Sequence, residues 1–286
     1  KFYRHFAIRA LTNAKNPVIK TPINAEDLTK LLKGVEFQDK LTKHLIENQL
    51  IESSISIDNA VSLLNTVTHT RHKVIVELVK GNRLPKMSTA KQVTDLLHTQ
   101  GEQKWYQSEY LGAIRALVAK DLIPNNLTTD EVLSIVHSLS DYELRGEFPK
   151  NWRENAIRSL INAKNPVIKT PINAEDLTKL LKGVKRQGEL TKYLIKNQLI
   201  ESSISIDKAV DLLNTVTRDR DRHKVINELT KGNRLPKMST AKQVTDLLHT
   251  QGEQKWYQSE YLGAIRALVA KDLIPNNLTT DEVLSI

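Results

Sequence analysis

Few residues in this chain have types and spacing that could do chemistry. His69 and His72 stand three apart, the helical spacing of a metal-ligand pair. Glu26 and Asp27 are adjacent carboxylates, and Trp105-Tyr106 with Tyr110 next to Lys104 form an aromatic concentration that could stack on bases or anchor a partner. Each has a plainer reading inside the chain itself, because much of the sequence occurs twice. The second copy has Arg218 where His69 stands and keeps only His223, which reads the histidines as solvated. Glu26 and Asp27 fall in the first turn of a helix, where acids favour the macrodipole. Trp105, Tyr106, Trp256 and Tyr257 begin a helix, where such residues more often fill the seam between repeats, with partner anchoring as the alternative.

No phosphate-binding glycine loop, H-E-x-x-H helix, EF-hand loop or nucleophile elbow occurs. The chain has no cysteine, so disulfides, thiolate zinc sites and thiol catalysis are excluded. We therefore expect no enzyme activity, no cofactor and no metal. Charged residues interrupt every Leu-rich stretch before it reaches the length of a membrane span. Hydrophobic content of 40% and charged content of 26% are those of a packed domain, and the excess of 42 basic over 33 acidic residues gives +9 and a pI near 9.5. That balance permits nucleic acid or an acidic partner and demands neither.

The elements that position these residues follow from the duplication. Residues 13–35 return unchanged 149 positions later, and residues 80–135 return unchanged 151 positions later. The first long unit is read as 1–161 and the second, truncated one as 162–286, in one continuous array. Lys1 aligns with Lys150 and Ile286 with Ile135, so the chain is expected to be a fragment of a longer protein.

Within each unit a shorter pattern recurs. An Asn, Ser or Thr, in most cases after an apolar residue, precedes an amphipathic stretch near 24, 56, 89 and 128, and again near 173, 205, 240 and 279. These residues are helix N-caps, with the residue three positions on able to bond back. Gly34 and Gly101 mark helix C-termini, and Pro85, Pro124 and Pro166 stop second helices. The result is helix–turn–helix units 32 to 45 residues apart, an all-α architecture that resembles an α-solenoid, with a right-handed superhelix expected. Leu127-Thr128-Thr129-Asp130-Glu131-Val132 resembles the opening of a TAL-effector repeat, which implies DNA reading. Long, nearly identical duplications in a chain rich in Lys, Asn and Ile resemble secreted effectors of intracellular bacteria, which implies work in a cytoplasm or inside a host cell.

The copies differ mainly at the turns between first and second helices. Glu36, Phe37 and Lys40 become Lys185, Arg186 and Glu189, Asp39 becomes Gly188 and Glu47 becomes Lys196, taking the local charge from −2 to +2. His69-Thr70 becomes Arg218-Asp219-Arg220-Asp221, followed by Arg222. These changes are read as drift at exposed turns, which tolerate change well, with a binding edge tuned unit by unit as the alternative that makes them candidate binding residues. Val76 to Asn227 and Val79 to Thr230 weaken an apolar helix face and predict a looser second copy. The function expected is a non-catalytic scaffold for a protein partner; the alternative is a nucleic-acid-binding solenoid. Apolar surface at the ends predicts end-to-end self-association.

Overall fold

A computed structural model describes residues 2–12, 18, 22–67, 70–98, 107–137, 151–161, 166–216, 219–249 and 258–286. The chain divides into two compact units, 1–168 and 169–286. In the first lie α1 (Phe2–Leu11), α2 (Ala25–Leu32), α3 (Gln38–Glu47), α4 (Ile57–Leu64), α5 (Arg71–Lys80), α6 (Ala90–Leu97), α7 (Gln107–Ala119), α8 (Thr129–His137) and α9 (Trp152–Leu160). In the second lie α10 (Ala174–Leu181), α11 (Gln187–Lys196), α12 (Ile206–Asn214), α13 (Asp219–Lys231), α14 (Ala241–Leu248), α15 (Gln258–Ala270) and α16 (Thr280–Ser285). No strand occurs among the described residues, only isolated parallel bridges.

The first helices start where a side chain can accept an orphan N–H. Asn24, Ser56 and Thr89 cap α2, α4 and α6, and Asn173, Ser205, Thr240 and Thr279 cap α10, α12, α14 and α16, each accepting from the N–H three residues on. Thr128 does the same for Glu131. The reciprocal bond of a capping box joins Glu131 to the Thr128 N–H and Glu282 to the Thr279 N–H. Past α2 and α10 the chain turns through Gly34 and Gly183 at φ of +73° and +76°, the left-handed conformation that glycine adopts without strain.

The second helices end differently. Gln49, Asn82 and Asp121 take φ near +54° after α3, α5 and α7, and Gln198, Asn233 and Asp272 do so after α11, α13 and α15. Behind each, paired N–H groups return to the last helical carbonyls, as Gln49 does to Ile46 and Leu50 to Leu45, both at 2.9 Å. This is a Schellman ending built without glycine.

Each unit is a two-layer α-solenoid stack. In the first, α2, α4, α6 and α8 pack one on the next, and α1, α3, α5, α7 and α9 form the second layer. In the second, α10, α12, α14 and α16 stack in one layer and α11, α13 and α15 in the other. The amphipathic stripe explains the burial: Leu28, Leu32, Ala60, Leu63, Leu64, Val93 and Leu96 of the first helices are fully buried, as are Leu41, Leu45, Val74, Ile75 and Leu78 of the second. A backbone bond closes each pair, since the segment before its first helix reaches the segment after its second. Ile23, Ile55, Met87 and Leu127 donate to Leu50, Arg83, Leu122 and Val167 at 2.7, 2.7, 2.9 and 2.8 Å. Ile172, Ile204 and Met238 repeat the bond in the second unit.

Val79 is buried in α5, and Thr230 is buried at the same place in α13. The Thr230 hydroxyl has no hydrogen-bond partner among the described residues, and a buried hydroxyl left unsatisfied is destabilising. Thr230→Val should therefore raise the stability of the second unit by about 1–2 kcal/mol, and Val79→Thr should lower that of the first by a similar amount, read as opposite shifts of the urea midpoint.

Candidate functional site

The turn-edge residues separate into surface and interior. Glu36 and Lys40 are exposed, and the Lys40 ammonium sits 4.6 Å from the centre of the half-buried Phe37 ring. The Phe37 ring also meets His5 of α1 edge to face, at 5.8 Å. Lys185 and Arg186 are exposed at the corresponding turn. The nearby change of Asp39 to Gly188 belongs to packing. A Cβ at Gly188 would lie 2.6 Å from Lys224 Cβ, so α11 and α13 approach too closely for any larger side chain.

Arg220 is exposed and its Nε lies 2.8 Å from Glu260. The Ser259 hydroxyl first, then the Glu260 backbone N–H and Arg220, hold the Glu260 carboxyl below the usual carboxylate range. Glu109, its counterpart in the first unit, pairs with Lys73 at 2.8 Å.

Arg222 does not lie on a binding edge. It is 1% exposed, and its guanidinium donates to the Asp246, Leu247 and His249 carbonyls at 3.0, 3.1 and 3.0 Å. Arg71 occupies the same place in the first unit. Its Nε and Nη2 donate to the Leu96 and Asp95 carbonyls at 3.1 and 2.9 Å, and Nη1 donates to Asn65 at 3.0 Å. These arginines close the C-terminal carbonyls of the next first helix, which the second layer covers. Burial lowers the Arg71 pKa to about 10, so its charge persists at neutral pH. Gln38 and Tyr110 perform the same service, Gln38 for the Leu32 carbonyl at 3.0 Å and Tyr110 for that of Ile135 at 2.9 Å.

His72 is not a solvated histidine either. It is fully buried, its Nε2 lies 3.4 Å from the Leu97 carbonyl and its ring meets Tyr110 edge to face. Burial first, with the neighbouring Arg71 charge as a lesser cause, pushes its pKa down to about 3. His69, Arg218, Trp105, Tyr106, Trp256 and Tyr257 lie outside the described residues. No group of three or more potential metal ligands occurs among the described residues, and none of the described helices is long and apolar enough to cross a membrane.

The exposed face of the first helices holds a feature absent from the turn reading. Between α2 and α4 lies an open cavity of about 450 Å³ lined by Asn24, Glu26, Thr29, Glu52, Asn59 and Ser62. Its counterpart between α10 and α12, about 370 Å³, is lined by Asn173, Glu175, Thr178, Lys208 and Asp211. The α2 and α10 side is identical in the two units, whereas Asn59 and Ser62 on α4 are replaced by Lys208 and Asp211 on α12. The signal was present in the sequence: two differences three residues apart on the polar side of one helix. Glu52 and Glu201 accept the Ala25 and Ala174 N–H groups at 3.2 and 3.1 Å, fixing one wall of each groove. Such a groove offers hydrogen bonds and charge to a side chain laid across it.

Comparison with protein-family models, curated proteins and solved structures finds no match.

Two outcomes follow from the buried polar pair. Arg71→Ala strands carbonyls that a charged donor had satisfied and should cost about 3 kcal/mol in urea unfolding, with Arg71→Lys restoring only part because an ammonium lacks the planar fork. His72 stays neutral in the folded chain down to about pH 3, while the unfolded chain takes up that proton near 6.5. Stability should thus fall as pH drops through that window, by about 1.4 kcal/mol per unit from this group, and His72→Asn should flatten the slope of urea midpoint against pH.

Proposed function

We propose that the chain is a non-catalytic interaction scaffold whose first-helix faces hold a protein partner. The observation that carries this reading is the recurring groove. Its α2 and α10 walls are the same in both units, and its α4 and α12 walls differ in hydrogen-bonding and charged groups at two exposed positions. The apolar positions buried beneath these walls, such as Ala60, Leu63 and Leu64 against Ala209, Leu212 and Leu213, do not change. A fixed interior beneath a varied, polar groove in each unit suits recognition of an extended peptide segment.

The nucleic-acid alternative drew on the basic stretch that includes Arg220 and Arg222. Arg222 is spent on carbonyls inside the fold and Arg220 is paired with Glu260, which leaves less charge there for phosphates.

The test is a peptide-display selection against the whole chain. Binders should respond by about tenfold to Asn59→Lys with Ser62→Asp, or to Lys208→Asn with Asp211→Ser, while the thermal midpoint stays constant because these side chains are exposed. Indifference to both exchanges would contradict the groove reading. Binding to random duplex DNA or RNA that weakens steeply between about 50 and 200 mM salt would favour the alternative.

A further inference from the structure

The second layer carries different charges in the two units. Where α3 and its preceding turn hold Glu36, Phe37, Asp39, Lys40 and Glu47, α11 and its turn hold Lys185, Arg186, Gly188, Glu189 and Lys196, a change from −2 to +2. Lys43, Lys73 and Lys80 are kept as Lys192, Lys224 and Lys231.

The kept lysines change partners. In the first unit Lys43 lies 3.7 Å from Glu47, Lys73 2.8 Å from Glu109 and Lys80 3.1 Å from Glu77. Lys192, Lys224 and Lys231 make no ion pair among the described residues. Lys192 has lost its acid because Lys196 stands where Glu47 does, and Glu260 is taken by Arg220 instead of Lys224. Lys192 and Lys196 stand one turn apart with like charge. That arrangement weakens a helix, and an anion laid across both relieves it.

Two close contacts gather these lysines on one surface. A Cβ at Gly188 would lie 2.6 Å from Lys224 Cβ, and a Cβ at Gly232 would lie 2.6 Å from Ile195 Cγ2, so α11 and α13 run side by side in the same direction. Lys224 therefore adjoins the start of α11, near Lys185, and Lys231 adjoins its end, near Lys196. Lys185, Lys192, Lys196 and Lys231 are exposed and Lys224 is half-buried.

We propose that this face docks an acidic segment of a protein partner, a run of Asp or Glu lying in extended form along α11 and α13. Alternate side chains of an extended chain stand about 6.6 Å apart on one side, close to the rise of about 6 Å between Lys192 and Lys196. Glu189 and Glu228 lie on the same two helices. A peptide can set a neutral residue opposite each, whereas a nucleic-acid strand brings a phosphate at every nucleotide. No large apolar side chain of α11 or α13 is exposed among the described residues, so the face lacks the anchor of a membrane-bound helix. The grooves lie on the other layer, so the two surfaces are tested by different residues.

The test is fluorescence anisotropy of a labelled peptide of about twelve residues, alternating Glu and Ser, titrated with the whole chain at about 50 mM salt. Binding should appear, weaken as salt rises and fall about tenfold with Lys192→Glu and Lys196→Glu together. Lys192→Arg with Lys196→Arg should retain it. Lys40→Glu with Lys43→Glu removes the same charge from the first unit and should leave binding unchanged. All four lysines are exposed, so thermal midpoints should stay close to that of the unmodified chain. Absence of binding at low salt would overturn the proposal. So would an equal loss in the two Glu variants, which marks a response to net charge alone. Tighter binding of single-stranded RNA, or of vesicles containing phosphatidylserine, through the same two lysines would overturn it as well.

Discussion

Short helices set the main constraint on this structure. Most first helices have only eight or nine residues, and four N–H groups at one end and four carbonyls at the other lack intrahelical partners. Nearly every backbone group of such a helix is therefore an end group, and stacking in two layers removes many of these ends from water. The N-termini are satisfied locally, by Asn, Ser or Thr caps. The C-termini are covered by the second layer and satisfied at a distance, by Arg71, Gln38 or Tyr110 and their counterparts Arg222, Gln187 and Tyr261. The second helices close their own ends by Schellman turns, and one backbone bond then ties the two ends of each pair.

That division of labour explains what the copies share and where they differ. The buried polar groups that close helix ends are kept in both units, even where the turn before them changes by two residues. Arg71 and Arg222 follow turns of different length and reach the same carbonyls, because the fold needs those carbonyls closed. Positions free of that duty vary: Glu36 and Lys185, Asn59 and Lys208, Ser62 and Asp211. A scaffold built on end closure can change its exposed walls without disturbing its layers, which is the physical basis of the interaction reading.

Much of the architecture was legible in the sequence because its signals are local. Asn24, Ser56 and Thr89 announce helix starts through bonds to residues three positions away, and the apolar stripes of α2 and α6 show at a glance which face is buried. The C-terminal closures were not legible. Arg71 sits 24 and 25 residues from the carbonyls it serves, and a basic residue after a variable turn reads as surface. Sequence distance also hid His72, which looks solvated until Tyr110 and Leu97 pack against it. Gln49 and Asp121 in left-handed turns carry no glycine to betray them. At the candidate site, the turn residues drew attention because they change most, whereas the groove depends on α2 and α4 lying side by side, which no single segment states.

The central claim is that closed helix ends belong to the cooperative structure rather than fraying from it. Native-state hydrogen exchange at the Ile23, Ile55, Leu127, Ile172 and Ile204 amides, the donors of the pair-closing bonds, tests this most directly. The account predicts opening free energies equal to those of buried helical amides such as Leu63 and Leu212 in the same unit. Exchange at these donors as fast as at solvent-exposed turns, with the helix centres still protected, would contradict it.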